Sequence, residues 1–187
     1  RIIEPVLIRN NIFTQNNDAL FIGGLYEYDD SSYNVSVEEN EFIGNECCGL
    51  YAFNANGLIL TGNHFKDNKY NGAYLYDTDN WSQYDAYEQA AGVYGNTFDN
   101  NGAAGLYLDY SYYLPVLENE MKNNGYGGIG TEELYGCQFS RNSITGNGWD
   151  GIYLYFSEGC EITDNIISGN GTGLLPEELE NDPDYVY

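Results

Sequence analysis

The sequence predicts an all-β fold, a parallel β-helix (solenoid) of about seven 23-residue turns, two of them carrying insertions. Three observations predict it. The motif Asn-x-apolar-x-x-Asn recurs seven times, beginning at Asn11, Asn40, Asn63, Asn96, Asn119, Asn142 and Asn165. Successive copies lie 29, 23, 33, 23, 23 and 23 residues apart, so the period is 23 with insertions of 6 and 10 residues. Apolar and polar positions alternate on both sides of the motif, which is strand periodicity. A fixed repeat of this length marks a solenoid, in which each turn buries its apolar face only against its neighbours.

Each turn can be numbered from its first motif Asn as position zero. The segment before that Asn predicts a strand with −5 and −3 turned inward. Position −3 holds Ile8, Val37, Leu60, Val93, Val116, Phe139 and Ile162, and −5 holds Val6, Val35, Leu58, Ala91, Leu114, Cys137 and Cys160. The motif supplies a second inward column at +2: Phe13, Phe42, Phe65, Phe98, Met121, Ile144 and Ile167. Past a glycine at +9 (Gly49, Gly72, Gly105, Gly128, Gly151), positions +10 and +12 are again apolar and predict a further strand. Twenty-three residues with such short runs suit two or three strands and tight turns, stacked at roughly 4.8 Å. The Asn columns at 0 and +5 have two structural uses: Asn tolerates a left-handed backbone at a turn, and stacked amides hydrogen-bond along the axis.

Runs such as NSITGNGWDGIYLYFSEGCEITDNIISGNGTG resemble the right-handed parallel β-helix repeats of the pectate-lyase-like superfamily. They are most similar to its Asn/Gly-rich subgroup of surface proteins and periplasmic copper-accessory proteins. The resemblance spans roughly residues 6–175 and implies the fold. It implies no single activity, because that superfamily includes lyases, hydrolases, epimerases, adhesins and passive scaffolds. Residues 1–175 are therefore expected to form the β-helix and 176–187 an acidic tail or cap.

With 29 acidic against 6 basic residues, the net charge is −23. Such a surface repels nucleic-acid phosphates and acidic lipid, so neither is an expected partner. There is no long apolar run to span a membrane. An extracellular or cell-surface location is expected, with any secretion signal removed or outside the chain.

The charge pattern also bears on chemistry. A uronide lyase needs cations free to clamp the substrate carboxylate, yet most of the six are expected in charge ladders: Arg141 between Glu118 and Asp164, Lys66 and Lys122 on either side of Asp99, and Arg9 beside Glu38. Only Arg1 and Lys69 remain unassigned. Hydrolysis needs two carboxylates at a set separation. Asp77, Asp79 and Asp85 in the longer insertion (77–89), Asp29 and Asp30 in the shorter one, and Asp109 one turn beyond are the candidates. No short motif singles out a pair. Copper would call for more than one His (His64) and one Met (Met121). Calcium is the better match for hard oxygen donors, with Asp77, Asp79, Asp85 and Asp109 as its ligand candidates, although no spaced Asp loop is present.

Cys137 and Cys160 stand one period apart in an inward column, where either a disulfide or two buried thiols fits. Cys47 and Cys48 are vicinal and fit either a cross-link to another chain in an oxidising compartment or, the preferred reading, small apolar fillers. Asn34 and Asn80 begin glycosylation sequons in or beside the insertions; a third, at Asn170, falls on a ladder position.

Twenty tyrosines are the second informative feature. Tyr51, Tyr74, Tyr107 and Tyr153 share position +11, and Phe53, Tyr76 and Tyr155 share +13, so an exposed aromatic stripe is expected. Trp81 in the insertion extends it. Such a stripe fits sugar rings or another protein. The expected function is a structural, self-associating surface or filament subunit, joined head to tail through open ends or to other surface proteins. The alternative is a carbohydrate-binding or polysaccharide-processing β-helix that uses the aromatic stripe and acidic insertions.

Overall fold

The computed structural model describes residues 6–23, 35–80 and 91–175. Every turn contributes three short strands, and like strands stack into three parallel seven-stranded sheets. The first sheet holds the segment before the motif: Val6–Arg9, Val35–Glu38, Ile59–Thr61, Gly92–Tyr94, Pro115–Leu117, Gln138–Ser140 and Glu161–Thr163. The second holds the motif itself, from Ile12–Thr14 to Ile166–Ser168. The third holds Leu20–Gly23, Leu50–Phe53, Ala73–Tyr76, Leu106–Asp109, Ile129–Glu132, Asp150–Tyr155 and Thr172–Leu175. No helix of the described residues is long and apolar enough to cross a membrane.

The register follows the columns. Val93 pairs with Leu60 and Val116, Phe98 with Phe65 and Met121, and Leu106 with Ala73 and Ile129. Parallel in-register pairing stacks each inward side chain on its own kind. The rings of Phe13, Phe42, Phe65 and Phe98 lie 4.7, 4.7 and 4.9 Å apart and within 5° of parallel. Leu50, Leu60, Leu75, Leu106, Leu108, Val93, Val116, Phe139 and Ile144 complete a fully buried core. At the first turn an inward column loses its cover, where Val6 is exposed, and at the last turn Cys160, Ile162 and Ile167 are only partly buried. The first turn is also one residue shorter than the others ahead of its third strand, so Leu20 rather than a glycine-plus-one residue pairs with Leu50.

Two asparagine ladders run along the corners on either side of the second sheet. In each, one Asn Oδ1 accepts both the backbone N–H and the side-chain amide of the Asn one turn earlier, as Asn63 N and Nδ2 do to Asn96 Oδ1 at 2.9 and 3.0 Å. The amide also donates to a carbonyl of the previous turn, Asn96 Nδ2 to Leu60 O at 3.1 Å. The column at +5 repeats this, with Asn101 donating to Asn124 and to Phe65 O. These buried amides are thus supplied with partners without water, which is what burial of a polar group demands.

The left-handed backbone falls elsewhere than expected. It belongs to the residue before each Asn: Asn10, Glu39, Gly62, Gly95, Glu118, Arg141 and Asp164 at −1, and Gln15, Gly44, Asp67, Asn100, Asn123, Gly146 and Gly169 at +4 all have positive φ. The ladder Asn is selected for its side chain, and the neighbour before it absorbs the bend. The glycine column at +9 has a packing reason. A Cβ on Gly72 would lie 2.6 Å from Gly105 O and 2.8 Å from the Phe98 ring.

The charge ladders hold in part. Arg141 bonds Glu118 at 2.9 Å, and Arg9 reaches Glu39 at 2.9 Å and Glu38 at 3.8 Å. Lys66 and Lys122 do flank Asp99 in register. Their ion pairs, however, are to chain neighbours, Lys66 to Asp67 at 3.9 Å and Lys122 to Glu120 at 2.9 Å. Lys69 is not spare, since it pairs with Glu46 one turn back at 3.2 Å.

Candidate functional site

The outward face of the third sheet concentrates the aromatic and acidic side chains. Strand alternation puts Leu50, Ala73, Leu106, Ile129 and Ile152 in the core and turns the residue after each of them outward. Phe21, Tyr51, Tyr74 and Tyr107 then form a ring ladder with centroids 5.4, 5.1 and 5.3 Å apart. In the parallel column, Phe53 stacks on Tyr76 at 5.2 Å and Tyr76 meets Tyr110 at 5.6 Å. Contact along the ladder leaves Tyr51, Phe53, Tyr74, Tyr76, Tyr107, Tyr153 and Tyr155 half-buried rather than exposed. Apart from Phe21 at the end of the ladder, the exposed aromatics lie mostly at corners, among them Tyr70, Tyr126 and Trp149.

Midway along the sheet the second column turns acidic. Asp109 and Glu132 are register partners on adjacent strands, and Tyr155 follows Glu132. Each carboxylate is tied to a tyrosine of the neighbouring column. Tyr74 donates its hydroxyl to Asp109 Oδ2 at 2.8 Å, and Tyr107 donates to Glu132 Oε2 at 3.4 Å. Gly130 makes room for the second contact, since a Cβ there would stand 2.8 Å from the Tyr107 ring. At the following corner Tyr110 donates to Glu133 at 2.8 Å, which pushes the Tyr110 phenol up to about 12.

The electrostatics follow first from burial and then from neighbouring like charge. Burial raises Asp109, and the nearby Glu133 raises it further against the Tyr74 hydrogen bond. Burial and then the Asp109 charge raise Glu132. Asp77, at the corner one turn back, is raised by burial. Burial and the bond to Asp109 push the Tyr74 phenol well above its usual range. Asp109 is 7% exposed, and its Oδ1 is buried with no hydrogen-bond partner. A shallow groove of about 420 Å³ continues past this corner, lined by Tyr112, Glu133, Leu134, Tyr135, Phe156 and Glu158.

Of the calcium candidates, Asp77, Asp79 and Asp109 lie among the described residues and Asp85 outside them. Among the described residues no three His, Cys, Asp or Glu side chains form a group that could hold a metal ion. Asp79 is buried and serves the backbone instead, with Tyr112 N–H donating to its Oδ1 at 2.8 Å. Asp77 and Asp109 do lie at one sheet edge, joined by the Asp77 N–H donating to Asp109 O at 2.9 Å. Asp85, Trp81 and Asn34 lie outside the described residues. Asn80 lines an open groove with Tyr113, Cys137 and Glu161. His64 sits between Glu41 and Thr97 as a member of the second sheet.

The four cysteines are free thiols. Cys137 is fully buried and donates to Ser111 O at 3.4 Å, and the half-buried Cys160 one turn on donates to Glu158 O at 3.6 Å; the proximity of the two thiols lowers Cys160 and raises Cys137. Cys47 and Cys48 have their sulfurs 4.0 Å apart, and burial pushes Cys48 up to about 12.

Glu132 shares position +13 with Phe53, Tyr76, Asp109 and Tyr155, and neither it nor Glu133 belongs to a recognisable motif. The available signal was the +13 column itself, where Asp109 and Glu132 interrupt a run of aromatics on consecutive turns.

Comparison with known proteins agrees with this architecture. The model of a family described as a right-handed β-helix region matches residues 3–87 and 85–181. No curated protein gives a significant match. Among solved structures, a periplasmic alginate epimerase, AlgG, superposes with a TM-score of 0.70 at 15% identity, over 86% of this chain and 39% of that one. The A-module of the mannuronan C-5 epimerase AlgE6 of Azotobacter vinelandii gives 0.62 at 15% identity, over 92% of this chain and 58% of that one. The chain therefore spans between about two fifths and three fifths of the length of these enzymes, and at such identity the likeness concerns the fold. Three stacked parallel sheets, the 23-residue register and a family match across nearly the whole sequence lead to one conclusion: the chain belongs to the right-handed β-helix family.

Proposed function

We propose that this protein binds a polysaccharide chain along the outward face of the third sheet, in an extracellular or periplasmic setting. The observation that carries the reading is the continuous ring ladder Phe21–Tyr51–Tyr74–Tyr107 running beside Asp109 and Glu132. Aromatic faces provide flat apolar area for pyranose rings, and flanking carboxylates accept sugar hydroxyls. A solenoid offers such a surface as a long track, which suits a polymer better than a small molecule. The structural neighbours that work on alginate and mannuronan agree with a polysaccharide ligand, and the periplasmic one with the location. End-to-end self-association, the role expected from sequence, gains nothing from these matches.

Affinity electrophoresis through gels containing different polysaccharides tests the reading. Retardation by at least one polysaccharide, lost in Tyr74→Ala and Tyr107→Ala, is expected. Unretarded migration through neutral, amino and uronate polymers alike would reject it.

A second reading, cleavage of the bound chain, rests on Asp109 and Glu132 occupying adjacent strands with both carboxyl groups raised. A proton-holding carboxyl beside an ionised one is the arrangement that glycoside hydrolysis requires. Release of reducing ends by the wild type and none by Asp109→Asn or Glu132→Gln would establish it; retention of the polymer without release would leave binding alone.

A further inference from the structure

Resting on the glycan-binding reading above, we propose that the polysaccharide this face selects carries free amino groups: a hexosamine polymer in its deacetylated, cationic form. The first argument is an imbalance of hydrogen-bonding capacity. Among the described residues, two buried side-chain polar atoms have no partner, Asn54 Oδ1 and Asp109 Oδ1. Both are acceptors, and both stand at the same edge of the third sheet. Asn54 follows the strand Leu50–Phe53, and Asp109 ends the strand Leu106–Asp109 two turns further on. Native interiors rarely leave such atoms unpaired, so two along one edge point to a ligand that brings donors. An ammonium group has three donors and no acceptor.

The second argument is charge. Between and beside the two orphan acceptors stand Asp77, Asp109, Glu132 and Glu133, on or next to three consecutive strands of one sheet. The described cations are elsewhere: Arg9 on the first sheet, Lys66 and Lys122 on the second, and Arg141 and Lys69 at the corners that flank the second, with Glu118 and Glu46. A uronate polymer would meet uncompensated repulsion here. A neutral or N-acetylated polymer would satisfy the acceptors in part but leave four carboxyl groups with nothing to neutralise them. A polymer with an ammonium on each ring answers both needs, and charge-assisted hydrogen bonds to carboxylates are the strong kind. Burial has raised Asp77, Asp109 and Glu132, with neighbouring carboxylates adding to the last two, and an incoming cation favours the ionised form of each. The spacing is compatible with a chain laid along the ladder, because rungs repeat at roughly 4.8 Å and a hexose unit extends about as far as one rung.

Calorimetric titration with three oligosaccharides of equal length decides the matter: β-linked glucosamine, its N-acetylated form, and a uronate. The glucosamine oligomer is expected to bind about tenfold or more tightly than the N-acetylated one, with the gap shrinking in 0.5 M salt. Asp109→Asn and, independently, Glu132→Gln should each narrow the gap, with unchanged circular dichroism showing that the fold survives. Equal or tighter binding of the N-acetylated or uronate oligomer would overturn the amino-sugar proposal while leaving a glycan-binding face. Failure of all three oligomers and of the polymers above to bind would remove the underlying reading as well.

Discussion

Asn96 and Asn119 are joined twice: the backbone N–H and the side-chain amide of Asn96 both donate to Asn119 Oδ1, at 2.9 and 3.0 Å. The same Asn96 amide donates to Leu60 O and Tyr94 O, and its own Oδ1 accepts from Asn63. Replacing it by Ala strips partners from several buried groups at once. Each unsatisfied group costs about 1–3 kcal/mol, so Asn96→Ala should destabilise by about 3–5 kcal/mol. Chemical denaturation measures this; a loss below about 1 kcal/mol would mean that water replaces the ladder. Asn100→Ala, at a left-handed position whose amide reaches only the exposed Asp67, should cost much less.

The glycine column gives a steric counterpart. A Cβ on Gly105 would stand 2.9 Å from Gly128 O, from Phe98 Cβ and from Asn124 Nδ2. Backbone and buried core side chains cannot move aside cheaply, so Gly105→Ala should cost about 1–3 kcal/mol. The exposed Gly95 at positive φ, with nothing near its Cβ, tests backbone strain alone and should cost about 1 kcal/mol on change to Ala. Thermal melting compares the two.

Cys160 should be the reactive thiol. The neighbouring Cys137 thiol lowers it, whereas burial lifts Cys48 to about 12. Iodoacetamide labelling followed by peptide mass analysis should find Cys160 modified first, at a lower pH than an ordinary thiol, and Cys48 protected in the folded state. We further propose that a low-molecular-weight disulfide converts the pair to a Cys137–Cys160 bridge by two exchange steps, releasing two small thiols. In-register neighbours on adjacent strands lie within the Cα range that a disulfide spans. A mass loss of two hydrogens on the linked peptides is expected; labelling of Cys160 with no linkage would refute the bridge.

Stability should decline as pH rises through the weakly acidic range. Asp77, Asp109 and Glu132 are raised from ordinary values of 3.8, 3.8 and 4.5, so the native state holds protons that the unfolded chain has released. Ionising them from about pH 4 upward therefore costs the folded state. The melting temperature should fall from the low end of this window toward neutrality, and Glu132→Gln should flatten the slope. A rise over the same window would show that the paired carboxylates elsewhere dominate.

The fold was legible because two side-chain columns repeat without fault: an Asn at 0 and another at +5 in all seven turns set the register of every strand. What remained hidden depended on contacts between turns. The bend at Glu118 or Arg141 shows no signature in residue type, because the backbone there is held by the Asn that follows. Lys66 pairs with Asp67 rather than Asp99 because of side-chain reach, which column logic ignores. Asp79 reads like a surface ligand in an acidic insertion, yet it is a buried acceptor for Tyr112 N–H. Glu132 acquires its place in the site only once Gly130 lets the Tyr107 ring lean across to it.

Because each ladder Asn makes the same bonds to the turn on either side, whole turns are interchangeable units. Excising 119–141 would bring Asn142 against Asn96 with every amide still supplied, and duplicating the segment would do the reverse. Molecular length can thus vary in steps of one turn without a new folding problem to solve. Repeating a turn such as 40–62, which carries Tyr51 and Phe53, would lengthen the aromatic track in the same steps, so a lineage could fit its grip to longer or shorter stretches of polymer by unequal recombination alone.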